Sequence, residues 1–223
     1  MDNNRKMFEE FIQGFMVREK QNTLERYRRL NHYAHKGETL LVGSSLMEQF
    51  PLYELKMSLG IPGIIYNRGI GGYTTTELLD VMDTCIFDLE PSRIFINIGS
   101  NDMAAPGFTV ESLRDNYQRI LEQIKDRLPA CQITLMAYYP INTACALPGF
   151  GDMFATRNNA TIQACNNMVE ELARDMGCKF INVNHGLFDE NGDLKAEYTI
   201  EGLHMWPDAY HAVLGELLPY LGE

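Results

Sequence analysis

The chain has 223 residues, of which 45% are hydrophobic and 22% charged, and its formal net charge is −11 at neutral pH. The length suits one α/β domain, and the composition is that of an ordinary globular protein. The acidic balance argues against a nucleic-acid partner and against stable association with anionic membranes, because no basic surplus is present to neutralise phosphates.

A long amphipathic helix is predicted at the start of the chain, over residues 3–35. Apolar residues recur at helical spacing from Met7 to Met16, and the same face continues to Tyr33. Charges interrupt the apolar positions, so the segment does not match a secretory signal, and we expect a cytoplasmic protein. Residues 1–37 are interpreted as an N-terminal helical extension that packs on the domain or joins a second copy in a homo-oligomer. No residue of this helix is a candidate for catalysis.

Five short apolar segments after Gly37 are predicted to be strands, at residues 39–43, 64–67, 93–98, 132–138 and 179–183. Each is apolar on consecutive positions, which suits a sheet that is covered on both faces. Helical patterns at 46–59, 74–88, 109–128, 156–176 and 208–221 alternate with them. This alternation predicts an α/β domain over residues 38–223, with a parallel sheet and with its ligand site beyond the carboxyl ends of the strands.

A serine stands where the first predicted strand meets the next helix. In Gly43-Ser44-Ser45-Leu46 a hydroxyl lies beside backbone N–H groups and the positive end of the helix dipole. That placement suits a nucleophile whose attack generates an oxyanion, and Ser45 is the candidate. Serine is also a favoured helix cap, and taken by itself the segment favours the cap.

The segments after the second and third predicted strands are also candidates for the site. The first of them contains Gly69, Gly71 and Gly72, which allow close backbone approach and suit either an anion cradle or a turn before a capped helix. Their spacing is not the GxGxxG dinucleotide fingerprint. After the third strand, Asn101 can direct its side-chain N–H₂ into the cleft, although an Asn-Asp pair also suits an ordinary turn.

The candidate base is His204, in the loop before the last predicted helix. Imidazole activates a serine near neutral pH, and Glu201, three residues earlier, can reach its other ring nitrogen. Asp208 is the alternative acid, although the start of a helix also favours an aspartate because of the helix dipole. Among the other histidines only His185, after the fifth strand, is a rival, because the remaining three lie within predicted helices.

Together these four segments resemble the blocks of the SGNH/GDSL hydrolases, a family named for a Ser, a Gly, an Asn and a His. Gly43-Ser44-Ser45-Leu46 is similar to the GDSL block, Asn67-Arg68-Gly69-Ile70-Gly71-Gly72 to the second, Gly99-Ser100-Asn101-Asp102 to GxND, and Glu201-Gly202-Leu203-His204 to DxxH. The resemblance implies a three-layer flavodoxin-like fold with five parallel strands. It also implies a catalytic triad of Ser45, His204 and Glu201 and an oxyanion hole of Ser45, Gly72 and Asn101.

The activity implied by the resemblance is a two-step acyl transfer that needs neither a metal nor an organic cofactor. Members of the family act on acetylated carbohydrates, short-chain esters, lysophospholipids and thioesters, and we expect a small acetylated or short-acyl ester here. The loop 140–155 and Trp206 are candidates to line the acyl or sugar pocket, since loops of this length tend to be functional. Five irregularly spaced cysteines without a CxxC pair predict neither a disulfide framework nor a zinc knuckle.

Two other classes of function stay open on the sequence. Ser44 and Tyr73 stand where the family often has Asp, and Glu201 replaces Asp in the last block, which leaves a non-catalytic ligand-binding protein as an alternative. A flavodoxin-like nucleotide or flavin binder would use the glycines for phosphate, but it leaves His204 without a role.

Overall fold

A five-stranded parallel sheet forms the centre of the computed structural model, which describes residues 2–149 and 151–221. The strands are β1 Thr39–Gly43, β2 Ile65–Asn67, β3 Arg93–Asn97, β4 Gln132–Met136 and β5 Lys179–Ile181. Their order in the sheet is β2-β1-β3-β4-β5, and all neighbours are parallel. Each observed strand lies within its predicted range, so the predicted α/β class is confirmed.

The central strands are buried on both faces, as their consecutive apolar residues predict. The fully buried side chains of β1 and β3 include Leu40, Leu41, Val42, Ile94, Phe95 and Ile96. Burying one such side chain contributes about 1.5–3 kcal/mol to stability. This gain is available only if helices cover both faces of the sheet.

The covering helices are α1 Asp2–Asn31, α2 Ser45–Glu48, α3 Leu52–Ser58, α4 Thr75–Asp80, α5 Met82–Cys85, α6 Val110–Arg127, α7 Asn159–Asp175 and α8 Pro207–Leu221. On one face α4 contacts α6 and α6 contacts α7. On the other, Phe50 after α2 stacks on Tyr210 of α8, with ring centroids 4.8 Å apart. The chain moves from β1 to β2 in one direction and then back across β1 to β3, so right-handed crossovers place the two groups of helices on opposite faces.

Two of the predicted helices are interrupted. The segment 46–59 forms α2 and α3, which are separated at Pro51, where the ring removes a backbone N–H and blocks the preceding turn. The segment 74–88 forms α4 and α5, which join at Val81, and no residue type in it signals that break. The first helix ends at Asn31 rather than at residue 35.

The two halves of α1 have different surroundings. In the second half Leu24 and Tyr27 are buried, and the Arg68 guanidinium beside β2 donates to Asn31 Oδ1 at 2.9 and 3.1 Å. In the first half large apolar side chains are exposed, including Met7, Phe11, Ile12, Phe15, Met16 and Val17. The second half therefore packs on the domain, while the homo-oligomer through this helix stays a prediction. Within the residues described, no helix is both long and apolar enough to cross a membrane.

Candidate active site

The sequence-predicted site residues follow the carboxyl ends of three neighbouring strands. Ser45 begins α2 directly after β1, Gly72 lies after β2, and Asn101 lies after β3. Because β1 pairs with both β2 and β3, the segment that carries Ser45 lies between the other two. The sheet order thus brings together groups that are far apart in sequence.

Ser45, His204 and Glu201 form a continuous hydrogen-bonded series. Ser45 Oγ lies 2.9 Å from His204 Nε2, and His204 Nδ1 makes a short hydrogen bond with Glu201 Oε1. The same carboxylate oxygen accepts the backbone N–H of His204 at 3.3 Å. This arrangement leaves Nε2 as the nitrogen that can take a proton from Ser45.

The alternative acid and base lie elsewhere. Asp208 is exposed in the first turn of α8, and the His185 ring bonds through Nδ1 to Glu216 Oε2 at 2.8 Å. Neither side chain takes part in the series that ends at Ser45.

A tight turn over residues 199–205 orients His204 and Glu201. Thr199 Oγ1 accepts the Gly202 N–H at 2.8 Å and donates to the His204 carbonyl at 3.0 Å, while the Ile200 N–H donates to the same carbonyl at 2.8 Å. Gly202 has φ of +98°, which favours glycine because it has no Cβ. The closed turn is what lets two side chains three residues apart in a non-helical segment meet.

The candidate oxyanion donors lie on the glycine loop, residues 69–72, and on Asn101. Gly72 has φ of +72°. Asn101 Nδ2 donates one hydrogen to the Tyr73 carbonyl at 2.9 Å, which leaves its second hydrogen for another acceptor. The loop is held against α2, because the Gly71 N–H donates to Glu48 Oε2 at 2.8 Å.

Asp102 links the segment after β3 to the helix that follows the glycine loop. Its carboxylate accepts the Thr75 N–H at 3.0 Å and also the Thr75 hydroxyl. Burial raises the pKa of Asp102, and the hydrogen bonds from Thr75 oppose that rise. Asp102 therefore fixes the position of neighbouring Asn101 relative to α4.

Comparison with known proteins identifies the family. A model of the GDSL-like lipase/acylhydrolase family matches residues 42–212. The chain belongs to this family. The resemblance stated from the four sequence blocks is confirmed, and the chain is a carboxylic ester hydrolase.

Three relatives show how far the similarity extends. A Streptococcus pneumoniae protein, provisionally described as a platelet activating factor, is 31% identical with a TM-score of 0.85, over 97% of this chain and 99% of its own. An Arabidopsis thaliana GDSL esterase/lipase is 29% identical over 168 residues, which are 67% of this chain and 69% of that protein. The N-acylneuraminate cytidylyltransferase of Escherichia coli is 26% identical over 188 residues, which are 84% of this chain but 41% of that enzyme.

A buried arginine stands near Glu201, the candidate acid. Arg157 and Glu201 are 4% and 7% exposed, so both charges are shielded from water. Burial lowers the pKa of Arg157, and the negative charge of Glu201 opposes that shift. Within the part of the chain that the structure describes, Glu201 Oε2 and Arg157 Nε and Nη1 have no hydrogen-bond partner. The negative charge of Glu201 thus favours the charged form of Arg157 without a hydrogen bond to its Nε or Nη1.

A separate cavity of about 470 Å³ lies at the opposite end of the sheet. Arg93, Gln132 and Lys179, which begin β3, β4 and β5, line it. Ligands of open parallel sheets bind at the carboxyl ends of the strands, where the Ser45–His204 pair lies. The Ser45–His204 pair, and not this cavity, is therefore the candidate active site. Residues 2–149 and 151–221 contain no group of three His, Cys, Asp or Glu side chains placed to hold a metal ion.

Sequence reasoning missed Arg157 and Lys20, whose ammonium on α1 donates to the Gly72 carbonyl at 2.8 Å. A lysine on an amphipathic helix and an arginine in the first turn of the helix predicted over 156–176 are each typical of a solvated surface, so no local signal marked them. Trp206 lies two residues after His204 and is 48% exposed. The pocket predicted for it and the loop 140–155 stays a prediction, and Phe150 of that loop lies outside the described residues.

Proposed function

We propose that this chain is a serine esterase with Ser45 as nucleophile, His204 as general base and Glu201 as the acid that orients His204. The observation that carries the proposal is the hydrogen-bonded series from Ser45 Oγ through the His204 ring to Glu201 Oε1. Such a series holds imidazole in the tautomer that accepts a proton at Nε2, and it stabilises the imidazolium that forms.

The reaction proceeds in two steps. His204 Nε2 takes the Oγ proton as Ser45 attacks the ester carbonyl carbon, and the π electrons of the carbonyl move onto its oxygen. The N–H groups of Ser45 and Gly72 and the Asn101 side chain hold that oxyanion. Collapse breaks the C–O bond to the alcohol, and His204 gives its proton to the leaving alkoxide. Water then attacks the acyl-enzyme with His204 as base, which releases the acid and regenerates Ser45.

The proposed substrate is a small ester that carries an acetyl or another short acyl group. Trp206 presents a half-exposed ring beside the turn that holds His204, and aromatic side chains commonly line small-molecule pockets. The loop 140–155 begins against the same turn, since the Asn142 N–H donates to the Gly202 carbonyl at 2.8 Å. These contacts support a compact pocket bordered by the loop and the indole.

Labelling with a fluorophosphonate tests the nucleophile. We expect the wild-type enzyme to be labelled at Ser45 and to hydrolyse p-nitrophenyl acetate. Ser45→Ala should lose the label and reduce turnover by at least about 10³-fold, as removal of a serine nucleophile does elsewhere. Ser58→Ala, at an exposed serine of α3, is the matched control and should keep both properties. A wild-type enzyme that is not labelled, or an active Ser45→Ala variant, overturns the serine mechanism.

A substrate series tests the acyl preference separately. Rates with p-nitrophenyl esters should fall as the acyl chain lengthens beyond a few carbons, and acetylated sugars should release acetate. A preference for long acyl chains contradicts the proposed substrate while leaving the serine mechanism intact.

A further inference from the structure

Side chains of α1 hold the glycine loop directly. Lys20 Nζ donates to the Gly72 carbonyl at 2.8 Å, and the buried Tyr27 hydroxyl donates to the Gly69 carbonyl at 2.6 Å. Both donors come from the same helix, seven residues apart, and they reach both ends of the four-residue loop. Residues 2–31 of α1 lie outside the segment 42–212 that matches the family model.

A third connection runs through Glu48 on α2. Glu48 Oε2 accepts the Gly71 N–H at 2.8 Å, and Thr23 of α1 donates to Glu48 Oε1 at 3.4 Å. Three of the four residues of the glycine loop are therefore fixed by side chains of α1 or by a carboxylate that α1 contacts.

The loop needs such support because of its composition. Gly69, Gly71 and Gly72 have no Cβ to restrict their backbone, and glycine loses more conformational freedom on ordering than any other residue. An oxyanion donor is effective only when it is already aimed at the site where charge develops. Hydrogen bonds from a rigid helix supply that order before the substrate binds.

We propose that Lys20 is a positioning residue that orients the Gly72 segment of the oxyanion hole, so that the part of α1 between residues 20 and 27 supports the catalytic site. The inference rests on the proposed function, since it assigns the Gly72 N–H to the oxyanion. Lys20 acts through its hydrogen bond and not as a distant charge, because Glu77 Oε1 lies 2.6 Å from Nζ and compensates the ammonium. The Tyr73 ring, with its centroid 5.2 Å from Nζ, further restricts the side chain.

Kinetics of Lys20→Met and Lys20→Arg test the proposal. Lys20→Met should lower kcat by about tenfold with little change in KM, because misplacing a donor that acts in the transition state costs rate rather than substrate binding. The affinity for a boronic acid, whose tetrahedral adduct with Ser45 occupies the oxyanion hole, should fall by a similar factor. Lys20→Arg keeps a donor at this position and should restore most of both. Lys6→Met, at a lysine of α1 whose side chain is 76% exposed, is the matched control and should behave as wild type.

The outcomes separate this inference from the proposed function. An inactive wild-type enzyme that fluorophosphonate does not label overturns the proposed function itself. An active wild type with unchanged kcat and boronic acid affinity in Lys20→Met overturns only the role of Lys20. A loss that Lys6→Met shares, or one that Lys20→Arg does not restore, overturns it as well. If Lys20→Met does not fold, Tyr27→Phe, which removes the bond to Gly69, carries the same expectation for kcat and boronic acid affinity.

Discussion

At the scale of single residues, the site accommodates glutamate where the related block has aspartate. Glu201 has one more methylene than aspartate, yet its Oε1 meets both the ring Nδ1 and the backbone N–H of His204. The reach is possible because the turn over residues 199–205 closes on itself through Thr199. The second oxygen of this longer side chain, Oε2, is buried. The negative charge of Glu201 opposes the fall in the pKa of Arg157 that burial causes.

Replacing the acid by its amide tests this assignment. Glu201→Gln keeps the shape but cannot stabilise the imidazolium, so we expect turnover of p-nitrophenyl acetate to fall by about 10²–10⁴-fold. Asp208→Asn removes an exposed carboxylate from the first turn of α8 and should keep activity within about twofold, because only the helix-dipole interaction is lost. The reverse result, an active Glu201→Gln and an inactive Asp208→Asn, would move the acid to residue 208.

The candidate residues of the site could be chosen from the sequence by residue type, whereas their hydrogen-bond partners required the structure. The sequence offers Ser45, Gly72, Asn101, Glu201 and His204 as candidates because each follows a strand or precedes a helix and has a side chain or backbone suited to acyl transfer. The helix-cap interpretation could not be excluded from the sequence, since it depends on where the hydroxyl points. In the structure Ser44 takes the N-cap position of α2 without a side-chain cap bond within the described residues, and the Ser45 hydroxyl faces His204.

At the scale of elements, the contact between α2 and the glycine loop depends on the absence of a side chain at Gly69. A Cβ added there would overlap the Glu48 backbone nitrogen and lie 2.8 Å from the Met47 carbonyl carbon. Both neighbours belong to the backbone of α2, which also carries Ser45, so relief requires the loop or the helix to shift. The helix that carries Ser45 and the glycine loop therefore share one rigid contact.

Gly69→Ala should disturb stability and activity together. Overpacking of this kind costs about 1–3 kcal/mol in the free energy of unfolding, and displacement of the loop should lower kcat by about tenfold or more. Gly215→Ala is the control, because Gly215 is exposed within α8 with no neighbour within 4 Å of an added Cβ. It should raise stability by about 1 kcal/mol through helix propensity, with unchanged kinetics. Thermal unfolding and steady-state kinetics measure both variants, and wild-type kcat in Gly69→Ala would contradict the rigid contact.

The existence of the elements was more predictable than their ends. Each strand was found from its apolar run, because burial on both faces leaves a continuous signal. The break between α2 and α3 is caused by Pro51. The apolar periodicity of residues 46–59 continues across this proline and therefore predicts a single helix. The break at Val81 has no signature in residue type, since it is decided by packing of α4 and α5 against other elements.

At the scale of the whole molecule, the layered architecture follows from the alternation of strands and helices, whereas the docking of α1 does not. Helix α1 is joined to the β2 edge by the Arg68–Asn31 and Tyr27–Gly69 pairs, which connect segments some 40 residues apart. Amphipathic periodicity shows that a face must be covered, and it does not identify what covers it. The second half of α1 packs on the domain, and its hydrogen bonds to the glycine loop become visible only in the structure.

The last helix is joined to the turn after β5 by an ionisable contact that should make stability depend on pH. Glu216 of α8 accepts the Gly186 N–H at 2.8 Å through Oε1 and bonds to the His185 ring at 2.8 Å through Oε2, in the turn after β5. Burial raises the pKa of Glu216, but the hydrogen bonds from His185 and Gly186 outweigh it and leave the pKa below its usual 4.5. The carboxylate is thus favoured in the folded state.

A group with a lowered folded-state pKa stabilises the protein above its unfolded pKa, and that contribution is lost as the pH falls through the folded value. Glu216→Gln should therefore be less stable than wild type at pH 7 by about 1 kcal/mol, the scale of a partly exposed charged hydrogen bond. The difference should shrink on acidification below pH 4.5, the reference value. Urea unfolding at neutral and acidic pH measures it, with Glu170→Gln, at an exposed position of α7, as the control that follows wild type. A deficit of equal size at both pH values would assign the contact to shape rather than to charge.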